Sequence, residues 1–439
     1  MPQTAQMRLG LFATHAGHHI AAWRHPSSEV NNGASPLQRQ LRLARAAERG
    51  KFDAFFLADG SSTPNLPAEI MSRGTRGAML EPSTLLAALS QVTSRIGLVA
   101  TSSSTYDQPF HVAHKFMTLD HMSGGRAGWN LVTGVSATEA LNFNQPAQMS
   151  HADRYARADA FADAVLALWE HRGVSPGAAR DRVYADRFFQ VRGPLPLAPS
   201  PQGRPVLIQA GGSEAGRELA ARTAEMIYSV APDLAEGQAY YRDVKGRMAK
   251  YGRDPDQLKI MPGVFPIVGR TMQEAEDKYG ELQALVDPDV AIAQLALAMG
   301  SPDLVNHPLD GPLPDDLESN CGTTHLRILI GIARAKNLTL RQLSIEVAGG
   351  YGHWQVRGTA QHIADQLEER FKAKAADGFN IMPATLPGGI DDFVDLVVPE
   401  LQRRGLMRTE YAGTTLRDHL GLNRPIWRGE PAEPARAYA

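Results

Sequence analysis

Eight short apolar runs, separated by stretches that read as helices, recur along this 439-residue chain, and no other feature restricts its fold so tightly. The runs are Arg8 to Ala13, Ala54 to Ala58, Ile96 to Thr101, Arg126 to Thr133, Val206 to Gln209, Met226 to Val230, Lys259 to Val268 and Phe379 to Pro383. Strands that are apolar throughout, rather than alternating, are buried on both faces, as in a parallel sheet covered by helices. Leu37 to Arg49, Pro82 to Val92, Phe110 to Met122, Arg154 to His171, Gln238 to Lys250, Thr359 to Ala376 and Ile390 to Arg403 supply such helices. Open doubly wound sheets rarely need eight units, so the pattern predicts an α/β fold closed into a (β/α)8 TIM barrel. One domain over 1–439 accommodates the chain, with insertions near 172–204 and 271–357 and a C-terminal tail, 405–439, expected to pack across a surface.

In that fold chemistry gathers at the C-terminal ends of the strands. After the fifth run the chain reads Ala210-Gly211-Gly212-Ser213 and enters a helix. Unpaired N–H groups at a helix start attract an anion, and the glycines let a phosphate come close; the same residues also fit an ordinary turn. After the first run a long polar loop, Thr14 to Pro36, carries His15, His18, His19 and His25. Their spacing matches no metal-ligand pattern, so a wall over a ligand is the better reading, and no metal is expected. Asp59 closes the second run, as a turn cap or a ligand group, and Thr101 ends the third. Asn130 lies inside an apolar run and needs a partner, from neighbouring backbone or from a ligand. His151 and Tyr155 stand four apart across a helix start and point at one spot. The glycine-hinged Gly349 to Trp354, with His353, reads as a lid.

Composition narrows the function. A net charge of −2 offers no general attraction for nucleic acid or anionic membrane, so an anionic ligand must be held locally. A single cysteine, Cys321, excludes an intrachain disulfide and a cysteine-based zinc site and suits a reducing compartment. No signal peptide and no 18-residue apolar stretch is visible, and a cytoplasmic protein is expected. Neither paired acids for glycosidic cleavage nor a Ser-His-Asp elbow appears, which leaves a protein that binds a cofactor and lets it do the chemistry. A barrel hydrolase or lyase acting on a phosphorylated substrate, and a protein that binds the cofactor without catalysis, are the competing readings.

Four separated stretches carry a family likeness: ERGKFDAFFLADG (Glu48 to Gly60), HVAHKFMTLDHMSGGRAGWNLVT (His111 to Thr133), HADRYARADAF (His151 to Phe161) and QAGGSEAGRELAAR (Gln209 to Arg222). In that order the chain resembles the bacterial luciferase-like flavin monooxygenases, within them the nitrilotriacetate monooxygenase component A and dibenzothiophene sulfone monooxygenase branch. The resemblance implies a barrel that takes FMN, as FMNH2, from a separate NAD(P)H:flavin reductase, uses O2 to oxidise a small organic substrate, and forms homodimers or homotetramers. It implies that Asp59, Thr101 and Asn130 line the flavin pocket, that His151 and Tyr155 reach its chain or phosphate, and that Gly212 and Ser213 hold the phosphate. His18 and His353 are the candidates for the catalytic wall. The chain departs from the family pattern at Val356-Arg357-Gly358, where Arg357 is expected either in solvent or facing an acidic substrate.

Overall fold

The computed structural model describes residues 6–63, 65–74, 79–134, 136–170, 182–314, 317, 319 and 323–425. Eight parallel strands close into a ring: β1 (Arg8–Phe12), β2 (Ala54–Leu57), β3 (Gly97–Ser103), β4 (Ala127–Val132), β5 (Val206–Gln209), β6 (Met226–Ser229), β7 (Lys259–Val268) and β8 (Gly378–Ile381). Each pairs with the next, and β1 closes on β8 with Gly10 opposite Asn380. The expected barrel is therefore the observed one, and every strand lies within a residue or two of its predicted place.

The two-residue period of each strand explains why the runs are apolar without a break. Ala54, Phe56, Val99, Val206, Ile208, Met226, Tyr228 and Met261 meet inside the ring. Their neighbours Phe55, Leu57, Leu98, Ala100, Trp129, Leu131 and Leu207 belong to the layer under the helices. The helix after β4 starts at His151 rather than Arg154, because Ser150 Oγ accepts the Asp153 N–H at 3.1 Å and caps it. His151 and Tyr155 thus both stand on the helix proper.

The tail corrects its expectation. A short helix, Leu416–Leu420, turns inward and places Leu416, Leu420 and Leu422 in the interior cluster, closing the floor of the barrel. Room for it comes from missing side chains: a Cβ on Gly97 would lie 2.4 Å from Leu416 Cδ1. Arg417, buried, grips Glu225 at 2.6 and 3.1 Å, and Arg408 pairs with buried Asp53. Proline and arginine in the tail suggested a surface strap, but three leucines spaced by four and two residues form a plug. Residues 426–439 lie outside the described residues, as does Cys321.

The 172–204 insertion contains an antiparallel pair, Arg182–Ala185 with Gln190–Arg192. The 271–357 insertion contributes helices Met272–Ala284, Pro288–Met299, Thr323–Lys336 and Leu340–Glu346. It ends in a strand the sequence reading missed, Trp354–Gly358, which runs parallel to the upper half of β7 outside the ring. On it, Arg357 bonds Glu276 at 3.0 Å and lies 4.2 Å from the centre of the Tyr279 ring. Neither solvent alone nor a substrate claims it: its partner is a carboxylate on an insertion helix.

Candidate active site

Parallel register puts Thr101 opposite Asn130, both pointing into the barrel near its C-terminal mouth. Asn130 Nδ2 donates to Thr101 Oγ1 at 2.9 Å, and that hydroxyl donates to the Leu57 carbonyl at 3.0 Å. The partner of the Asn130 amide is thus a side-chain hydroxyl, not backbone. Its Oδ1 is buried and accepts nothing among the described residues. Leaving such an acceptor unmatched costs about 1–3 kcal/mol, which an N–H donor placed there would offset.

The turn after β5 is packed around glycines. A Cβ on Gly211 would stand 2.8 Å from Gly216 Cα, and one on Gly216 would stand 2.9 Å from both Gly211 Cα and Tyr155 Oη. The Tyr155 hydroxyl therefore lies against the turn, and the His151 ring sits 4.8 Å from the Tyr155 ring. Above, the insertion reaches down, because a Cβ on Gly212 would meet Thr324 Oγ1 at 2.6 Å. Ser213 caps the helix Glu214–Thr223 by accepting the Gly216 N–H at 3.2 Å. No hydrogen bond among the described residues takes the Gly212 or Ser213 N–H. Gly216 escaped the sequence reading; the signal was a third glycine, in the helix's first turn, where close approach explains it.

Opposite this turn is an aromatic wall. His18 and Phe12 have ring centres 4.6 Å apart, Phe12 and Phe56 4.8 Å, and Phe56 and Tyr228 4.3 Å. The His18 Nε2 and the Phe12 carbonyl are 2.9 Å apart, so that nitrogen carries the proton and donates. Phe12, Phe56 and Tyr228 are inward-facing strand positions, a pattern legible from the period of two once the barrel is assumed.

His353 and His325 have ring centres 5.9 Å apart, and a Cβ at Gly263 would collide with His353 Nδ1 at 2.3 Å, so β7 needs a glycine there. Burial, aided by His325 and His18 nearby, pushes the His353 imidazole down to about 3. It is neutral at physiological pH, and its buried Nδ1 has no hydrogen-bond partner among the described residues. The segment expected to be a lid packs down over it: Gly349 bridges His19, the Ile20 N–H donates to the Ala348 carbonyl at 3.0 Å, and Gly349 and Gly350 pack on Phe265. Of the other loop histidines, His19 is buried and lowered to about 4 by that burial, while His25 pairs with Ser27 Oγ at 2.7 Å.

Asp59 stands at the rim, accepting the Gly60 N–H at 2.9 Å. Partial burial, with Glu81 and Glu139 nearby, raises its carboxyl to about 6. Thr101 and Asn130 are brought together, as are His151, Tyr155 and the glycine turn, and His18 with His353; Asp59 stands apart at the edge.

What this end of the barrel offers is hydrogen bonds, an anion-suited turn and dry aromatic surface rather than acid–base or nucleophilic machinery, which defines a cofactor-using barrel enzyme. The model of the luciferase-like monooxygenases matches residues 7–377, and the chain belongs to that family. It is 45% identical to nitrilotriacetate monooxygenase component A of Aminobacter aminovorans, over 97% of this chain and 98% of the relative. It is 40% identical to dibenzothiophene-sulfone monooxygenase of Rhodococcus erythropolis (strain XP), over 98% and 100%. Among solved structures, a riboflavin lyase with modified FMN and the substrate riboflavin superposes with a TM-score of 0.84 at 30% identity, covering 96% of this chain and 97% of that one. The chain is a flavin-dependent monooxygenase. No single helix among the described residues is long and apolar enough to cross a membrane.

Proposed function

We propose that this chain is the oxygenating component of a two-component system, receiving FMN in its reduced form from a separate NAD(P)H:flavin reductase and oxidising a small aminopolycarboxylate, organosulfur or related compound. The observation that carries it is the pairing, at one barrel mouth, of an unfilled buried acceptor on Asn130 with a glycine turn whose N–H groups are unused. The residues present fit a flavin: the cradle at Gly211 and Gly212 excludes any side chain, and the interior offers Thr101 and Asn130 to a heteroaromatic edge. Gly212, Ser213, His151 and Tyr155 would hold the phosphate, Thr101 and Asn130 the ring, and Asp59 the rim.

Reduced FMN, when bound, supplies the two electrons with which O2 delivers one oxygen atom to substrate and the other to water. The chain's part is to bind and to keep water out. Phe12, Phe56 and Tyr228 would present apolar surface to the reacting end, and His18, its Nε2 fixed by the Phe12 carbonyl, would stand in the same wall. His353, held neutral, orients without protonating. A homodimer or homotetramer belongs to the same proposal and is read by light scattering on the eluting protein. The decisive experiment supplies purified protein with FMN, a flavin reductase, NADH and O2 and follows a panel of these substrate classes. Oxidation that stops without FMN, O2 or reductase is expected, and failure to bind FMN at tens of micromolar refutes the proposal. The monooxygenase relatives at 40–45% identity favour this reading over the hydrolase, lyase and non-catalytic ones.

A further inference from the structure

The glycine turn is held from behind. The Gly211 carbonyl accepts the Tyr240 hydroxyl at 2.9 Å, and the Gly212 carbonyl accepts Arg217 Nε at 2.9 Å. Arg217 is itself fixed, one guanidinium nitrogen 2.9 Å from Asp243 and the group 5.3 Å from the centre of the Tyr240 ring. Tyr240 and Asp243 lie three apart on the helix Leu234–Arg247, so one face of that helix supplies both anchors.

In a trans peptide the C=O and N–H point in opposite directions. The Gly211–Gly212 and Gly212–Ser213 peptides are both trans. With both carbonyls drawn back toward the helix layer, the N–H groups of Gly212 and Ser213 are turned the other way, and neither donates to another group among the described residues. Two successive amides so aimed make an anion-binding nest. Beside them the Gln209 side chain, 3% exposed, leaves its Oε1 without a partner, and both its polar atoms would lie within 3.0 Å of a Cβ on Gly211. Burial raises the Tyr240 phenol far above its ordinary value, so its hydroxyl remains a donor across the physiological range.

The geometry points to Tyr240 and Arg217, with Asp243 behind them, as positioning residues that set the polarity of the phosphate turn and so select a phosphorylated flavin over its unphosphorylated form. None of the three need touch the flavin. The inference rests on the proposed binding of FMN at this turn.

Riboflavin carries the same ring without the phosphate, which makes it the control ligand. Dissociation constants for FMN and for riboflavin are measured by fluorescence titration on the parent, Tyr240→Phe and Asp243→Asn, with thermal melts alongside. The parent is expected to prefer FMN. Each variant is expected to lose about fivefold or more of that preference, the order of one hydrogen bond, through weaker FMN binding with riboflavin unchanged. In turnover the loss falls on the KM for flavin rather than on kcat. Misfolding lowers both affinities together, so the ratio reads the turn alone. A parent that binds both flavins equally overturns the phosphate reading and this inference with it. A parent that prefers FMN, with variants that keep the full preference or lose both ligands in parallel, overturns the positioning role and leaves the phosphate reading standing.

Discussion

Replacing Gly216 by alanine tests the packing of the turn with one methyl group. The new Cβ would stand 2.9 Å from Gly211 Cα and 2.9 Å from the Tyr155 hydroxyl, where ordinary contact begins at 3.4 Å. About half an ångström must therefore open on both sides at once. The Tyr155 ring can swing, but Gly211 is backbone, and its carbonyl is tied to Tyr240. Overpacking of this kind costs about 1–3 kcal/mol. Alanine in place of glycine returns up to about 1 kcal/mol in a helix interior and less in the first turn, where Gly216 stands, so a net loss of about 1–2 kcal/mol remains. The strain is relieved by moving Gly211 and Tyr155, the parts proposed to meet the phosphate, so FMN binding weakens by about one order of magnitude or more. Fluorescence titration and a melting curve on the same preparation check this. A Gly216→Ala protein with parental FMN affinity and parental melting temperature refutes the claim that the close approach of Gly211 and Gly216 shapes the site.

Asp59→Asn is expected to reduce the pH dependence of FMN affinity near pH 6, where burial places the parent carboxyl, and to leave the part due to the flavin phosphate, which titrates in the same range; titrations from pH 5 to 8 decide it. Its sign for stability also follows. A carboxyl raised in the folded state favours folding while protonated, so that contribution is lost as pH rises from about 4 through 6, and Asp59→Asn flattens the melting temperature over that window. Leu416→Ala empties part of the barrel floor and should destabilise by about 2–5 kcal/mol in denaturant titration, while FMN affinity, set at the other end, changes less than about twofold. His353→Asn is expected to lower turnover without shifting any pKa of the pH–rate profile between 5 and 9, since the imidazole titrates near 3.

The barrel was legible because its evidence is local: each strand is one unbroken apolar run, and burial on both faces demands that composition wherever the run sits. The pairing of Asn130 with Thr101 was half legible. The isolated amide announced that it needed a partner, but which hydroxyl answers depends on the register of two strands, which periodicity does not set. Trp354–Gly358 stayed hidden because its glycine-rich approach resembles a loop, and the strand it pairs with among the described residues lies ninety residues upstream. The segment over His353 went the same way: Gly349 and Gly350 suggest a hinge until Phe265 and His19 are placed against them.

The two ends of the barrel solve the same problem in opposite ways. Both lack side chains where the interior must admit something. At the floor, Gly97 and Gly128 make room for Leu416, a part of the chain itself, and the gap is filled for stability. At the mouth, Gly211 and Gly216 make room for each other and for the Gln209 and Tyr155 side chains, and the turn so packed leaves two N–H groups and the Asn130 carbonyl oxygen unanswered among the described residues. Glycine content alone does not separate these uses. What separates them is whether the neighbouring polar groups are satisfied: at the floor Asp53 and Glu225 are paired with arginines, while at the mouth the donors and the acceptor remain open for a ligand.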